Sequence, residues 1–415
     1  MSTRSARNTS MPILVAIALG IMLGLVCPDV AIDMKLLSDG FIKLVGLLMP
    51  FLLFVLVTTG VSGIQREQKH SRVVGRIVLY FQLMSLCALM MGLMAGSVFG
   101  LDQTEVASLG FGQRVSTHTS GALVHELSLM PILSSVYGVF VHSLVLQVMV
   151  AAAFCGLLLG RGVKGSNRCL AWLESSLAML FRLLHIILKF APLAAFGAMA
   201  FVIGKYGMSS VLPLLKFIVV IYLACALFVV VVFAGIARAA GVRLSRLIVY
   251  LKEELLLVAF TGSSVAALPG FVGKLEALGC DRQLVRLVLT TGYSFNLTGS
   301  HIYLTTAVMF LAHLAGVSIT APELLVVLLI CLFTSLGSTS VAGSALFTLI
   351  ATLNILQWIP LEGVGLLLGV ERLMKCRSLT NVLGNCVACL AICSWQKALD
   401  RDALRRELAL DLAGS

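Results

Sequence analysis

Apolar runs recur along the first 240 residues, and most are long enough to cross a bilayer as a helix, which takes roughly 20 residues. They predict spans at 11–29, 38–64, 73–99, 142–160, 177–204 and 209–240. Residues 100–130 are polar and carry Gly and Ser, and read as a long outer loop. Beyond 240 the simple pattern fails. The stretch "EELLLVAFTGSSVAALPGFVGKLEALGC" is apolar but broken at Thr261–Ser264 and Pro269, with basic residues at both ends. A helical hairpin that dips in and returns fits it better than a span. A helix at about 283–313 follows, interrupted by Asn296, Thr298, Gly299, Ser300 and His301. Residues 314–322 lack Lys and Arg and read as external. A second interrupted segment lies at about 323–353, with "GSTSVAGSALF" in its middle, and a last helix at about 360–396.

Two halves of this latter region resemble each other. Ser264, Val265, Ala266 and Phe271 in the first hairpin match Ser340, Val341, Ala342 and Phe347 in the second. Each hairpin precedes a helix carrying N-[LV]-x-G, at Asn296–Gly299 and again at Asn381–Gly384. The first copy starts from the inside and the second from the outside, so the repeat is inverted. Packing through small residues accounts for either hairpin alone. It does not account for the same order of elements occurring twice in opposite orientation. Unpaired backbone survives in the membrane only when buried in protein or lining a wet cavity. A break in mid-helix therefore implies a cavity at mid-depth, and inverted repeats meeting there mark a secondary transporter.

Composition and charge sharpen this. Of 415 residues, 59% are hydrophobic and 12% charged, which excludes a soluble domain and predicts an all-α polytopic membrane protein. The net charge of +11 reflects Lys and Arg gathered in alternate loops, including Arg66, Lys69, Arg72 and Arg76, then Arg161, Lys164 and Arg168, then Arg238, Arg243 and Arg246. This is the positive-inside pattern, with the N-terminus in the cytoplasm, and no nucleic-acid partner is needed to explain it. The basic start followed by an apolar run also fits a signal peptide. It lacks a clear cleavage site and is taken as the first span. The 11 cysteines are an odd number scattered in apolar runs, which is no disulfide framework. Cys386, Cys389 and Cys393 share a helical face; small packing residues or a metal or redox site are the two readings.

Arg377 sits well inside the last apolar run. An intramembrane Arg is costly and faces a partner or a pathway. It is either a snorkelling or structural Arg paired with Glu371, or it lacks a protein carboxylate and takes a ligand carboxylate in a bidentate grip, among Ser378, Thr380, Asn381 and Asn385. The second reading is the expectation, with amides of the Ser263–Ser264 tip and of the second hairpin for another carboxylate. Lys189, Arg182 and His185 read as helix-end or headgroup residues. His301 adjoins the break and is either a packing histidine or a proton carrier. An intramembrane hydrolase is disfavoured, because Ser300 and the adjacent His301 point about 100° apart on a helix.

The blocks "LLSDGFIKLV", "APLAAFGAMAFVIGKYG", "TGYSFNLTGSHIYLT" and "LTNVLGN" resemble the dicarboxylate/amino acid:cation symporters, and the bacterial proton-coupled carriers of four-carbon dicarboxylates in particular. The resemblance spans nearly the whole chain. It implies eight transmembrane helices plus two re-entrant hairpins, a homotrimer in the inner membrane, and a transport domain that slides against a scaffold. Residues 1–240 would form six helices, 241–396 the substrate-binding core and 397–415 a cytoplasmic tail. The resemblance carries over Ser263 and Ser264 at the first tip, Val341, Ala342 and Gly343 at the second, Ser300 after the break, and Arg377 with Ser378 and Asn381. It makes Asn296, Thr298, His301 and Asn385 candidates for coupling. Met374 stands where the amino-acid branch has an acidic residue, which favours succinate, fumarate or malate. Thr298 and Asn385 replace acidic cation ligands, so a co-transported proton is expected rather than sodium, with no metal or cofactor. The tips depart from the family at Val265, Ser340, Ala342 and Ala345. The segment from Glu371 to Arg377 is one residue short and must turn or bulge differently. An acidic amino acid or a monocarboxylate as substrate, or a non-transporting dicarboxylate sensor, are the rivals.

Overall fold

A computed structural model describes residues 3–68, 72–98, 141, 144–162, 165–208, 211–261, 264, 267–335 and 344–410. Helices dominate them, and the single isolated β-bridge joins Cys280 to Leu399. The helices that matter below are α1 (Thr3–Val26), α2 (Lys35–Gln68), α3 (Arg72–Val98), α4 (Leu144–Gly160), α5 (Ser166–Leu188), α6 (Ala191–Tyr206) and α7 (Val211–Phe228). They are followed by α8 (Lys252–Thr261), α9 (Leu268–Ala277), α10 (Arg282–Phe295), α11 (Thr298–Leu314), α12 (Ala321–Ser335), α13 (Ser344–Leu356), α14 (Cys376–Trp395) and α15 (Arg401–Leu410).

The outward faces of α7 and α1 are apolar. On α7, Leu212, Leu215, Val219, Leu223 and Leu227 recur at helical spacing, and all are exposed. On α1, Val15, Leu19, Met22 and Val26 do the same. Such stripes are stable against lipid and not against water. Four described helices are long and apolar enough to cross a membrane. The chain is an all-α membrane protein.

Close helix contacts are made through small residues. Gly20 and Gly24 on α1 meet α6, where a Cβ on Gly20 would lie 2.6 Å from the Phe196 carbonyl oxygen. Gly92 and Gly96 on α3 meet α11 in the same way, with Met309 Cβ 2.6 Å from the position of a Gly96 Cβ. The approach lets Thr305 donate to Leu89 O at 2.9 Å and Thr306 to Gly92 O at 3.0 Å. Interhelical hydroxyl bonds of this kind, beside glycines four apart, are how helices adhere without a hydrophobic drive. All of α11 except His313 is buried, which makes it the central element of the packing.

Three expected helices are differently divided. The span at 177–204 is two helices, α5 and α6, separated by a turn at Lys189–Phe190. Pro192 lies in the first turn of α6, where its missing N–H is harmless, and it disfavours helix just before it. The span expected at 209–240 is helical over Val211–Ala239 but relaxes into a π-turn at Val229–Phe233 between α7 and Ala234–Ala239. The last helix is not continuous over 360–396. Val364–Val370 is helical, Glu371–Leu373 is a single 3₁₀ turn, Met374 leaves helical geometry, and α14 begins at Cys376. The distortion expected between Glu371 and Arg377 is therefore a full break.

The ends of α8 and α9 return to one another. Tyr250, just before α8, exchanges bonds with Lys274 on α9, through Lys274 Nζ to Tyr250 O at 2.9 Å and Tyr250 Oη to Lys274 O at 3.2 Å. Lys274 also pairs with Glu254 at 2.8 Å. α12 and α13 are tied by Thr334 and Thr352, whose hydroxyls lie 2.8 Å apart.

Candidate functional site

The interrupted helix breaks where the sequence clusters its polar residues. Asp281 caps α10 by accepting from Gln283 N and Leu284 N, each at 3.0 Å. α10 stops at Phe295, Asn296 and Leu297 leave helical geometry, and α11 begins at Thr298. The break is thus two residues long, and Gly299 and Ser300 belong to the first turn of α11 rather than to the gap.

α14 runs antiparallel past this break. Arg377, Asn381 and Asn385 are four residues apart, so they line one face of α14. Each meets a different residue of the broken helix, in three rungs. Asn385 Oδ1 accepts from Asn296 Nδ2 at 2.9 Å. Asn381 Nδ2 donates to Ser300 Oγ at 3.0 Å and its Oδ1 accepts from Ser300 N at 3.2 Å. The Arg377 guanidinium carbon lies 4.9 Å from the centre of the Tyr303 ring. Two glycines permit the approach. A Cβ on Gly292 would meet Asn385 Oδ1 at 2.5 Å, and one on Gly299 would collide with the Arg377 carbonyl oxygen.

Arg377 has a protein counter-ion, which corrects the expectation that it lacks one. Its Nη2 donates to Glu371 Oε1 at 2.9 Å, and both side chains are buried. On a continuous helix, residues six apart face different directions. The break at Glu371–Lys375 swings the carboxylate back onto the guanidinium. The pair uses only part of the fork: Arg377 Nη1 is buried and has no hydrogen-bond partner among the described residues. One arm is anchored to Glu371 and the guanidinium lies on an aromatic face, while the donors of the other arm have no partner among the described residues.

Further polar atoms near the break have no partner among the described residues. Asn296 Oδ1 and Thr298 Oγ1 are buried and unpartnered among the described residues, as are Tyr303 Oη and His301 Nδ1. Ser264, between α8 and α9, is buried, and its carbonyl accepts from Tyr293 Oη of α10 at 3.0 Å, which fastens this point to the broken helix. Ser378 is half-buried beside Arg377. Ser263, Val341, Ala342 and Gly343 lie outside the described residues. Sequence reasoning missed Tyr303, although it lies three residues beyond Ser300 and hence on the same face. It also missed Tyr293, for which nothing in the sequence gives a signal.

A chain-wide match accompanies this geometry. Residues 10–395 match the model of the sodium:dicarboxylate symporter family. The chain belongs to that family. It is 41% identical to the C4-dicarboxylate transport protein of Cupriavidus taiwanensis, over 95% of this chain and 93% of that one. The protein of the same description from Paraburkholderia xenovorans is also 41% identical, over 97% and 96%. That from Burkholderia pseudomallei is 40% identical, over 96% and 94%. By its family and the descriptions of these relatives, this symporter-family chain is a transporter and not an enzyme.

Proposed function

We propose that the chain is a secondary symporter importing C4-dicarboxylates such as succinate, fumarate and malate, with protons as the coupling ion. The observation that carries this reading is the divided guanidinium of Arg377, one arm held by Glu371 and the other unpartnered in a buried polar ladder. A four-carbon dianion offers two carboxylates. One would bind Arg377 with Ser378, Ser300 and Asn381 close by, and the other would reach the hairpin tips at Ser263–Ser264 and Val341–Gly343. The relatives described as C4-dicarboxylate transport proteins support the substrate class. Met374 supports it too: it is buried where the amino-acid branch would need an acid, so an α-amino group finds no carboxylate at that position.

Glu371 competes with the substrate for one cation. A proton on Glu371 would release the guanidinium to the incoming carboxylate, which ties proton uptake to binding; His301 and the substrate itself are the other carriers. Asn296 and Thr298 offer neutral oxygens at the break, with Asn385 held against Asn296, a weaker setting for sodium than a carboxylate. In our reading eight transmembrane helices and two re-entrant hairpins form inverted repeats, three copies assemble in the inner membrane with both termini cytoplasmic, and the core at 241–396 moves elevator-fashion against the remainder.

The test is uptake of labelled succinate by vesicles under imposed pH or sodium gradients. Wild type should accumulate succinate with an inward proton gradient, and Arg377→Ala should not. Equal uptake by both proteins overturns the role of Arg377. Binding without uptake favours a sensor, sodium-only stimulation overturns proton coupling, and preference for aspartate moves the substrate to the amino-acid branch.

A further inference from the structure

Three cysteines meet where the start of α10 passes the end of α14. Cys280 stands just ahead of α10, and Cys389 and Cys393 lie one turn apart on α14. Their sulfurs are all within 4.8 Å of one another, and all three residues are buried. The helical face containing Cys386, Cys389 and Cys393 was visible in the sequence. The structure replaces Cys386 in that trio by Cys280, from more than a hundred residues away.

The backbone builds this grouping. Cys280 and Leu399 form the isolated antiparallel bridge. Asp400 N donates to Gly279 O at 2.9 Å, and Asp281 N donates to Ala398 O at 3.2 Å. Gly279 has φ of +89°, and a Cβ there would sit 2.6 Å from the Asp400 carbonyl oxygen. The strand-like pairing therefore needs glycine at this position. It presses Cys280 onto the last turns of α14.

The donor set selects the ligand. The cysteines are free thiols, and the group contains no His or carboxylate. Thiolates bound at about 2.3 Å around a three-coordinate ion would be about 4 Å apart, which lies inside the 4.8 Å that bounds the three sulfurs. A disulfide would join two sulfurs and leave the third idle. An all-sulfur site shielded from water suits a soft cation rather than magnesium, calcium or sodium.

We propose that Cys280, Cys389 and Cys393 form a three-thiolate site for a soft d¹⁰ cation of the copper(I) class. Binding displaces the thiol protons and forms three metal–sulfur bonds, with no change of oxidation state. The ion would tie the root of α10 to α14. These are the two helices whose register sets the Asn296–Asn385 rung, so it would brace the polar ladder from one end.

The full-length protein, reduced in detergent, is titrated with copper(I) against a competing chelator. Cys27→Ser, Cys87→Ser and Cys169→Ser are present throughout, because those three thiols are exposed. One copper per chain is expected, with a thiolate-to-metal ultraviolet band and a rise in melting temperature. Cys280→Ser or Cys389→Ser should each weaken retention by more than about a hundredfold, since even outer-sphere losses cost roughly 10- to 100-fold. Cys331→Ser on α12 should change nothing, and Cys389→Ala serves if serine impairs folding. Failure of the parent protein to hold copper overturns the proposal, as does undiminished retention in Cys280→Ser/Cys393→Ser. A Cys280–Cys393 crosslink on mild oxidation without copper binding overturns it in favour of a redox pair.

Discussion

At the scale of single residues, the Glu371–Arg377 pair is the strongest constraint on how the site works. Removing one partner of a buried ion pair costs about 3–5 kcal/mol, because the other charge is left uncompensated. Glu371→Gln should therefore lower the melting temperature of the ligand-free protein. Succinate should restore more of it in the variant than in wild type, since its carboxylate replaces the missing charge. Thermal melts with and without succinate measure this; equal shifts in both proteins would make Glu371 a structural residue only. Asn381→Ala breaks both bonds to Ser300 and leaves a buried hydroxyl and amide short of partners, at about 1–3 kcal/mol each. It should weaken succinate binding as well as stability, and calorimetry on the purified protein checks it. Arg377, Asn381 and Asn385 could be placed on one face from their spacing of four. Glu371 was named as a possible counter-ion but set aside, because helical periodicity puts it on another face and only the break at Glu371–Lys375 returns it.

At the scale of elements, the α11–α14 contact depends on what is absent from Gly299. A methyl group there would collide with backbone, the Arg377 carbonyl, which has no flexible end to give way. Gly299→Ala should abolish uptake and reduce the yield of folded protein. Gly40→Ala on α2 and Gly235→Ala have open space at the same atom, so they should hold or slightly raise stability, by up to about 1 kcal/mol for a helical glycine. Size-exclusion profiles of the three variants, beside uptake, separate the two outcomes. The interruption at Asn296 was legible because Asn, Thr, Gly and Ser cluster inside an apolar run. The break at Glu371–Lys375 was visible only as a shortened spacing. The turn at Lys189–Phe190 was hidden because hydropathy does not distinguish one long apolar helix from two in series; Pro192 alone marks it.

At the scale of the whole molecule, the charge of the cargo sets the coupling. Each elementary charge moved across 100 mV involves about 2.3 kcal/mol. A dicarboxylate dianion entering a cell that is negative inside is thus opposed by about 4.6 kcal/mol at that potential, more than a thousandfold in accumulation. For the potential not to oppose import, at least two positive charges must travel with each dianion. Arg377 cannot supply them, since it stays with the protein. Among the described residues the unpartnered oxygens at the break, on Asn296 and Thr298, are neutral, a weaker setting for sodium than a carboxylate. In the proposed reading those charges are protons, delivered to the site or to the substrate. In vesicles clamped at equal pH on both sides, an inside-negative potential set with potassium and valinomycin should leave succinate uptake unchanged at two protons per dianion and speed it at three. Replacing sodium by choline should have no effect, and a protonophore should abolish accumulation driven by a pH gradient. Uptake slowed by the inside-negative potential would mean fewer than two charges accompany the dianion, and the chain would then work as an exchanger or an exit route rather than as an importer.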